Sequence, residues 1–212
     1  MRWVSRIKVK DEEKNREKKE CSSTLIITDT ESENLVYNGA FERGQETLFD
    51  WIQVGGTDDD GIRDISYIRN GKSYLLGGGR YEKYLEQIVM ITNAPNNIAK
   101  DIIKHGDTLV LSAWAKALNS DSLSDRVKFE LKAWLIYTDR TTEVISVEYD
   151  AECREWQYAA LPIKADSSKE LDYIVIHLDS SNNQSDVYFS DVRLVNAIEI
   201  SPKYKKLYFQ FI

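Results

Sequence analysis

Hydrophobic and polar positions in this chain alternate with a period of two over short stretches, and turn-forming residues separate the stretches. The longest, RVKFELKAWLIYTD at residues 126–139, places Val127, Phe129, Leu131, Ala133, Leu135 and Tyr137 on one face and Lys128, Glu130, Lys132, Trp134 and Ile136 on the other. DTLVLSAWAKA at 107–117 gathers Leu109, Leu111, Ala113 and Ala115 opposite Val110, Ser112, Trp114 and Lys116. In ELDYIVIHLD at 170–179, Ile174, Ile176 and Leu178 share a face, with Tyr173, Val175 and His177 behind them. Between such runs lie GGTDDDG at 55–61, Asn70-Gly71, GGG at 77–79, NAPNN at 93–97 and SSNNQS at 180–185. Many short strands, with neither βαβ alternation nor an internal repeat, predict an all-β sandwich or barrel with the first-named faces as its core.

The second face of these strands carries the candidate chemistry. Trp114, Trp134, and Tyr173 with His177 each stand among polar neighbours, away from the core. The C–H face of a sugar ring lies flat on an indole or phenol, while its hydroxyls exchange hydrogen bonds with side chains such as Glu130, Lys132 and His177. Tyr81 and Tyr84, in the loop expected after GGG, would flank the same platform. The pattern has a structural reading too, in which loops or the N-terminal segment cover the rings and make them a second, minor core. Periodicity tells which face a ring occupies and not whether it is covered, so both readings stand.

A length of 212 residues with 42% hydrophobic content suits one sizeable β domain or two small ones. The formal net charge of −7 and the pI near 5.0 speak against nucleic acid as a partner, because that binding needs clustered Lys and Arg. No run approaches the roughly 18 to 20 apolar residues of a membrane span, so no membrane partner is expected. Residues 1–33 read as a charged leader or linker and 197–212, SPKYKKLYFQFI, as an apolar extension that adds a strand or meets a partner. The leader lacks the apolar stretch of a secretory signal, which fits a cytoplasmic protein and equally a module of a longer secreted chain. Cys21 and Cys153 have no metal-type spacing and read as two free thiols.

Catalysis finds no foothold. The two histidines, His105 and His177, stand far from any Ser or Cys in a nucleophile-elbow context, and no carboxylate pair is singled out, so the chain is not expected to be an enzyme. Asp58-Asp59-Asp60-Gly61 lacks the alternate spacing of an EF-hand loop and reads as a solvated turn. GGGR at 77–80 is not followed by Gly-Lys-Ser/Thr, which removes nucleotide binding. Asn183-Gln184-Ser185 fits an N-glycosylation acceptor.

Taken in order, NLVYNGAFERG, Trp51, GKSYLLGG, YLEQIV, GDTLVLSAWAKA, REWQYAALPI and DVYFSDVRLV resemble the jelly-roll carbohydrate-binding modules of bacterial glycan-degrading enzymes. The likeness covers about residues 34–196. It is greatest to modules of clostridial and bacillar cell-wall-associated and YD-repeat surface proteins. It implies a two-sheet antiparallel jelly roll of the galactose-binding-like kind, non-catalytic, that binds an oligo- or polysaccharide. It also implies an extracellular or cell-surface setting within a larger chain whose neighbouring domains are further partners. In such modules the Asn-Gly turn opens the first strand, and a Glu and an Asp at the chain's two ends hold a structural Ca2+. The matching residues are Glu42 and Asp191, with carbonyls near Lys72 completing the shell. The sequence departs from the pattern at Ser190, where related modules often carry a second Asp. Because this superfold hosts many activities, a structural or protein-interaction sandwich with no sugar ligand is the alternative.

Overall fold

The computed structural model describes residues 34–43, 48–65, 71–91, 108–118 and 127–196, so the leader and the C-terminal extension lie outside the described residues. The alternating runs become ten strands: β1 (Ile52–Val54), β2 (Gly61–Arg63), β3 (Ser73–Leu76), β4 (Tyr84–Met90), β5 (Thr108–Ala117), β6 (Glu130–Tyr137), β7 (Thr142–Glu148), β8 (Gln157–Lys164), β9 (Leu171–Asp179) and β10 (Val187–Asn196). They form two five-stranded antiparallel sheets, ordered β1-β4-β9-β6-β7 and β2-β3-β10-β5-β8, which makes the protein an all-β jelly-roll sandwich. No helix among the described residues is long and apolar enough to cross a membrane.

The period-two faces point where the sequence places them. Leu109, Leu111, Ala113 and Ala115 of β5, Leu131, Ala133 and Leu135 of β6, and Ile174, Ile176 and Leu178 of β9 all lie in one core between the sheets. Phe129 is buried at its centre, 4.9 Å from the ring of Tyr149 and 5.8 Å from that of Phe189. The buried Tyr149 phenol donates to the Ala113 carbonyl at 3.0 Å, which satisfies the one polar atom that its ring brings inside.

The expected Asn-Gly turn is present at the entry to the domain, held by amide side chains, but among the described residues no strand follows it before β1. Asn34 Nδ2 donates to the Val192 carbonyl, and its Oδ1 accepts from Val36 N and Leu194 N. Asn38 adopts the left-handed conformation, with φ of 49°, and its side chain bonds the backbone of Arg43 and Phe49. Gly39 follows because a Cβ there would sit 2.0 Å from the Val192 oxygen, so the Asn-Gly pair brings the segment before β1 against β10.

Two further readings are corrected. Cys153, in the β7–β8 connection, is disulfide-bonded and not a free thiol; the chain's other cysteine, Cys21, lies outside the described residues. Asp60 is no solvated turn residue: its side chain is 2% exposed and that of Lys83 1%, and the two meet at 2.8 Å. The same carboxylate accepts from Thr57 N and Oγ1, Gly77 N and Gln53 Nε2, and the Lys83 ammonium also donates to the Gly77 carbonyl at 2.6 Å. Burial pushes the Asp60 carboxyl up, but the bonds from Lys83, Thr57 and Gly77 outweigh it and hold it below the ordinary value. This knot ties the β1–β2 connection, the end of β3 and the start of β4 together.

Two outcomes follow for stability. Phe129→Ala should cost about 3–5 kcal/mol in urea unfolding, with an unchanged denaturant slope. Lys83→Met, which strands a buried carboxylate, should cost about 3–5 kcal/mol at pH 7. Since folding lowers the pKa of Asp60, its contribution is complete above the ordinary value of 3.8 and fades as the pH falls through the folded value. The Lys83→Met deficit should therefore shrink in acid; a deficit independent of pH would remove Asp60 as its cause.

Candidate functional site

The outer face of the β1-β4-β9-β6-β7 sheet is laid out in rows by strand register. One row runs Tyr84, Asp179, Glu130 and Glu148; the next Ile52, Glu86, His177, Lys132 and Ser146; the third Ile88, Val175, Trp134 and Val144; the fourth Met90, Tyr173, Ile136 and Thr142. Six of the expected site residues, Trp134, His177, Glu130, Lys132, Tyr84 and Tyr173, thus share this face. Tyr84 is the first residue of β4 and not part of a loop.

Three rings cross the face on a diagonal. The Tyr84 and His177 rings stack at 4.5 Å and 9°, and the Trp134 ring lies 6.2 Å beyond His177. His177 Nε2 is 2.8 Å from Glu86 Oε2, so the imidazole, covered by Tyr84 and tethered by Glu86, supports the face and presents little of itself. Burial, and then the charges of Glu82, Glu86 and Asp179, push the Tyr84 phenol up and keep it a neutral hydroxyl. Trp134 is the open ring, 37% exposed.

Beside the rings, Lys132 Nζ lies 2.7 Å from Glu130 Oε1 and 3.1 Å from Asp179 Oδ2. Burial lowers the Lys132 pKa, yet these two carboxylates raise it further, and the ammonium stays charged. Lys132 thus spends two of its three N–H donors on Glu130 and Asp179. What the cluster offers is acceptor capacity. A carboxylate has about four lone-pair sites; Glu86 and Glu130 are each bonded at one oxygen by His177 and Lys132, whereas the buried Asp179 is bonded at both, by Lys132 and the Ser181 amide. Glu86 and Asp179 escaped the sequence reading, although alternation from Tyr84 and His177 puts both on this face.

Trp114 and Tyr81 belong elsewhere. Trp114 is on β5, in the opposite sheet, where its ring packs 5.1 Å from Tyr158 beside the buried Ser112 and Val110. It faces away from the core as expected, but from the other side of the sandwich, and is half-buried there. The Tyr81 ring sits 5.6 Å from the Lys83 ammonium, at the Asp60 knot. Asn183, of the glycosylation signal, is fully buried and receives Ser185 N on its Oδ1, so it is no acceptor for a glycan.

Of the two residues expected at calcium, Glu42 is exposed. Asp191 sits at a bulge in β10 with φ of 49°; burial pushes its carboxyl up, and the charge facing it is Arg193. The Ser190 hydroxyl donates to the Lys72 carbonyl at 2.9 Å. No group of three or more His, Cys, Asp or Glu suited to a metal occurs among the described residues. Asn34, through Val192 and Leu194, joins the start of the sandwich to β10.

No family profile matches the sequence, and no curated protein matches it. The fold is similar to that of bacteriophage CBA120 tailspike protein 4, enzymatically active domain, with a TM-score of 0.53 and 14% identity over 77% of this chain. The chain spans about a fifth of that tailspike, 21% of its length. The CBM22-1 xylan-binding domain of Paenibacillus barcinonensis Xyn10C superposes with a TM-score of 0.52 and 10% identity, over 80% of this chain and 97% of that one. At these identities the likeness is one of fold.

Asn34→Ala should lower stability by about 1–3 kcal/mol, as its three backbone partners lose their bonds. If Glu42 and Asp191 hold the expected ion, the melting midpoint should climb with free calcium; an equal midpoint in millimolar calcium and in chelator would retire that site.

Proposed function

We propose that the outer face of the β4-β9-β6 region binds a neutral oligo- or polysaccharide without catalysis. The observation that carries this reading is an open indole, Trp134, one row from Glu86 and two rows from Glu130 on a face turned away from the core. Trp134 takes the C–H face of a sugar ring, and Glu86 and Glu130 accept its hydroxyls. The surplus of carboxylates over Lys132 disfavours acidic glycans. The similarity in fold to a xylan-binding domain supports a glycan as ligand. The disulfide at Cys153 supports an extracellular setting, since such bonds persist in oxidising compartments.

Affinity follows from the chemistry. Each sugar hydroxyl gives up water for a protein bond, at a net gain of about 0.5–1.5 kcal/mol, so dissociation constants between about micromolar and millimolar are expected, with little salt dependence. Trp134→Ala should weaken binding at least about tenfold in calorimetry while leaving the melting midpoint nearly unchanged, because the ring is exposed. The exposed edge strand β7 favours a second reading, a protein-interaction sandwich that pairs through that edge. No binding to a broad panel of plant, microbial and host glycans, with Trp134→Ala lowering stability, would overturn the first reading in favour of the second.

A further inference from the structure

The carboxylate-bearing rows and the row of Trp134 make different demands on a ligand. In the latter, Ile88 and Val144 are 45% and 46% exposed, Val175 is half-buried between them, and Met90 in the next row is 36% exposed. The stripe crosses four strands, about 14 Å at about 4.8 Å per strand, and lies about 7 Å along the strands from the row of Glu86, His177 and Lys132. Trp134 belongs to the same row, so a sugar stacked on its indole has neighbouring substituents directly over Ile88, Val175 or Val144. Hydroxyls placed there would give up water and receive nothing, since these side chains neither donate nor accept hydrogen bonds. The row suits an apolar substituent.

Charge narrows the choice. Both cations near the rings, Lys132 and, when protonated, His177, already face carboxylates, so a negatively charged substituent would meet Glu86, Glu130 and Asp179 without a free counter-charge among these residues. A small, uncharged group with a methyl end satisfies both constraints. Resting on the carbohydrate reading above, we propose that the glycan recognised by this face carries acyl substituents, acetyl esters foremost, whose methyl groups lie on the Ile88, Val175 and Val144 stripe beside Trp134. The carboxylate rows then take the free hydroxyls of the same chain.

The test uses the full chain and three neutral probes, glucomannan, xylan and cello-oligosaccharides, each in a partially O-acetylated and a fully de-esterified form. Calorimetry and affinity electrophoresis should show tighter binding of the acetylated form, by about fourfold for each methyl laid on the stripe. The Ile88→Thr, Val144→Thr double variant, at two exposed positions, should erase that preference, and affinity for the de-esterified form should not fall. Equal affinity for the two forms would overturn the acyl proposal and leave the carbohydrate reading intact. Absence of binding to every form would overturn both. Sedimentation that showed a dimer dispersed by the double variant would assign the stripe to a second copy of the chain and also overturn the proposal.

Discussion

The register of β9 between β4 and β6 is the constraint on which the site depends. Ile174, Ile176 and Leu178 alternate with Tyr173, Val175 and His177, and the former are completely buried. A slip of one residue would turn those three aliphatic side chains to solvent and drive an imidazole and a phenol into the core, so the register is fixed by the core and not by the site. Once it is fixed, Glu86 and Lys132 stand on either side of His177, and Val175 sits between Ile88 and Trp134. The chemistry of the outer face is thus written by hydrophobic burial on the inner one.

That dependence explains what could be read from the sequence. Alternation within a strand is local, and the inward residues of β5, β6 and β9 were legible for that reason. Which sheet a strand joins is not local. Trp114 and Trp134 occupy outward positions of consecutive strands, yet β5 lies between β10 and β8 while β6 lies between β9 and β7, so the two indoles look out from opposite sides of the sandwich. The Asp60–Lys83 knot was illegible for a related reason. Each residue sits in a polar stretch that reads as surface, and only closure of the chain over 23 positions buries both. Asn34, whose partners on β10 are 158 and 160 positions away, hid its role as a staple in the same way.

Burying charges at one end of the sandwich and again on the outer face costs desolvation, and the structure meets that cost by multiple bonding. Asp60 receives donors from four residues, and Lys132 is shared by two carboxylates. These clusters give geometry more than stability. The Asp60 knot fixes the start of β4, and Tyr84, the first residue of that strand, is in turn stacked on His177. Glu86 holds the imidazole from the side, and the imidazole packs on Trp134. A chain of contacts therefore runs from the knot to the open indole.

Rigidity of this kind matters for a weak binder. When each hydrogen bond to a hydroxylated ligand yields so little net free energy, entropy lost in ordering flexible side chains would consume most of it, at about 0.5–1.5 kcal/mol for each long side chain immobilised. On this face the ordering has already occurred. Lys132 is held by two carboxylates, His177 by Glu86 and Tyr84, and Asp179 by Lys132 and by the Ser181 amide. Aromatic rings and short aliphatic side chains make up most of what remains open, and these have little freedom to lose. The face is therefore organised before a ligand arrives, and its selectivity lies in the order of its rows, with hydroxyl acceptors on one side of the indole and an apolar stripe alongside it.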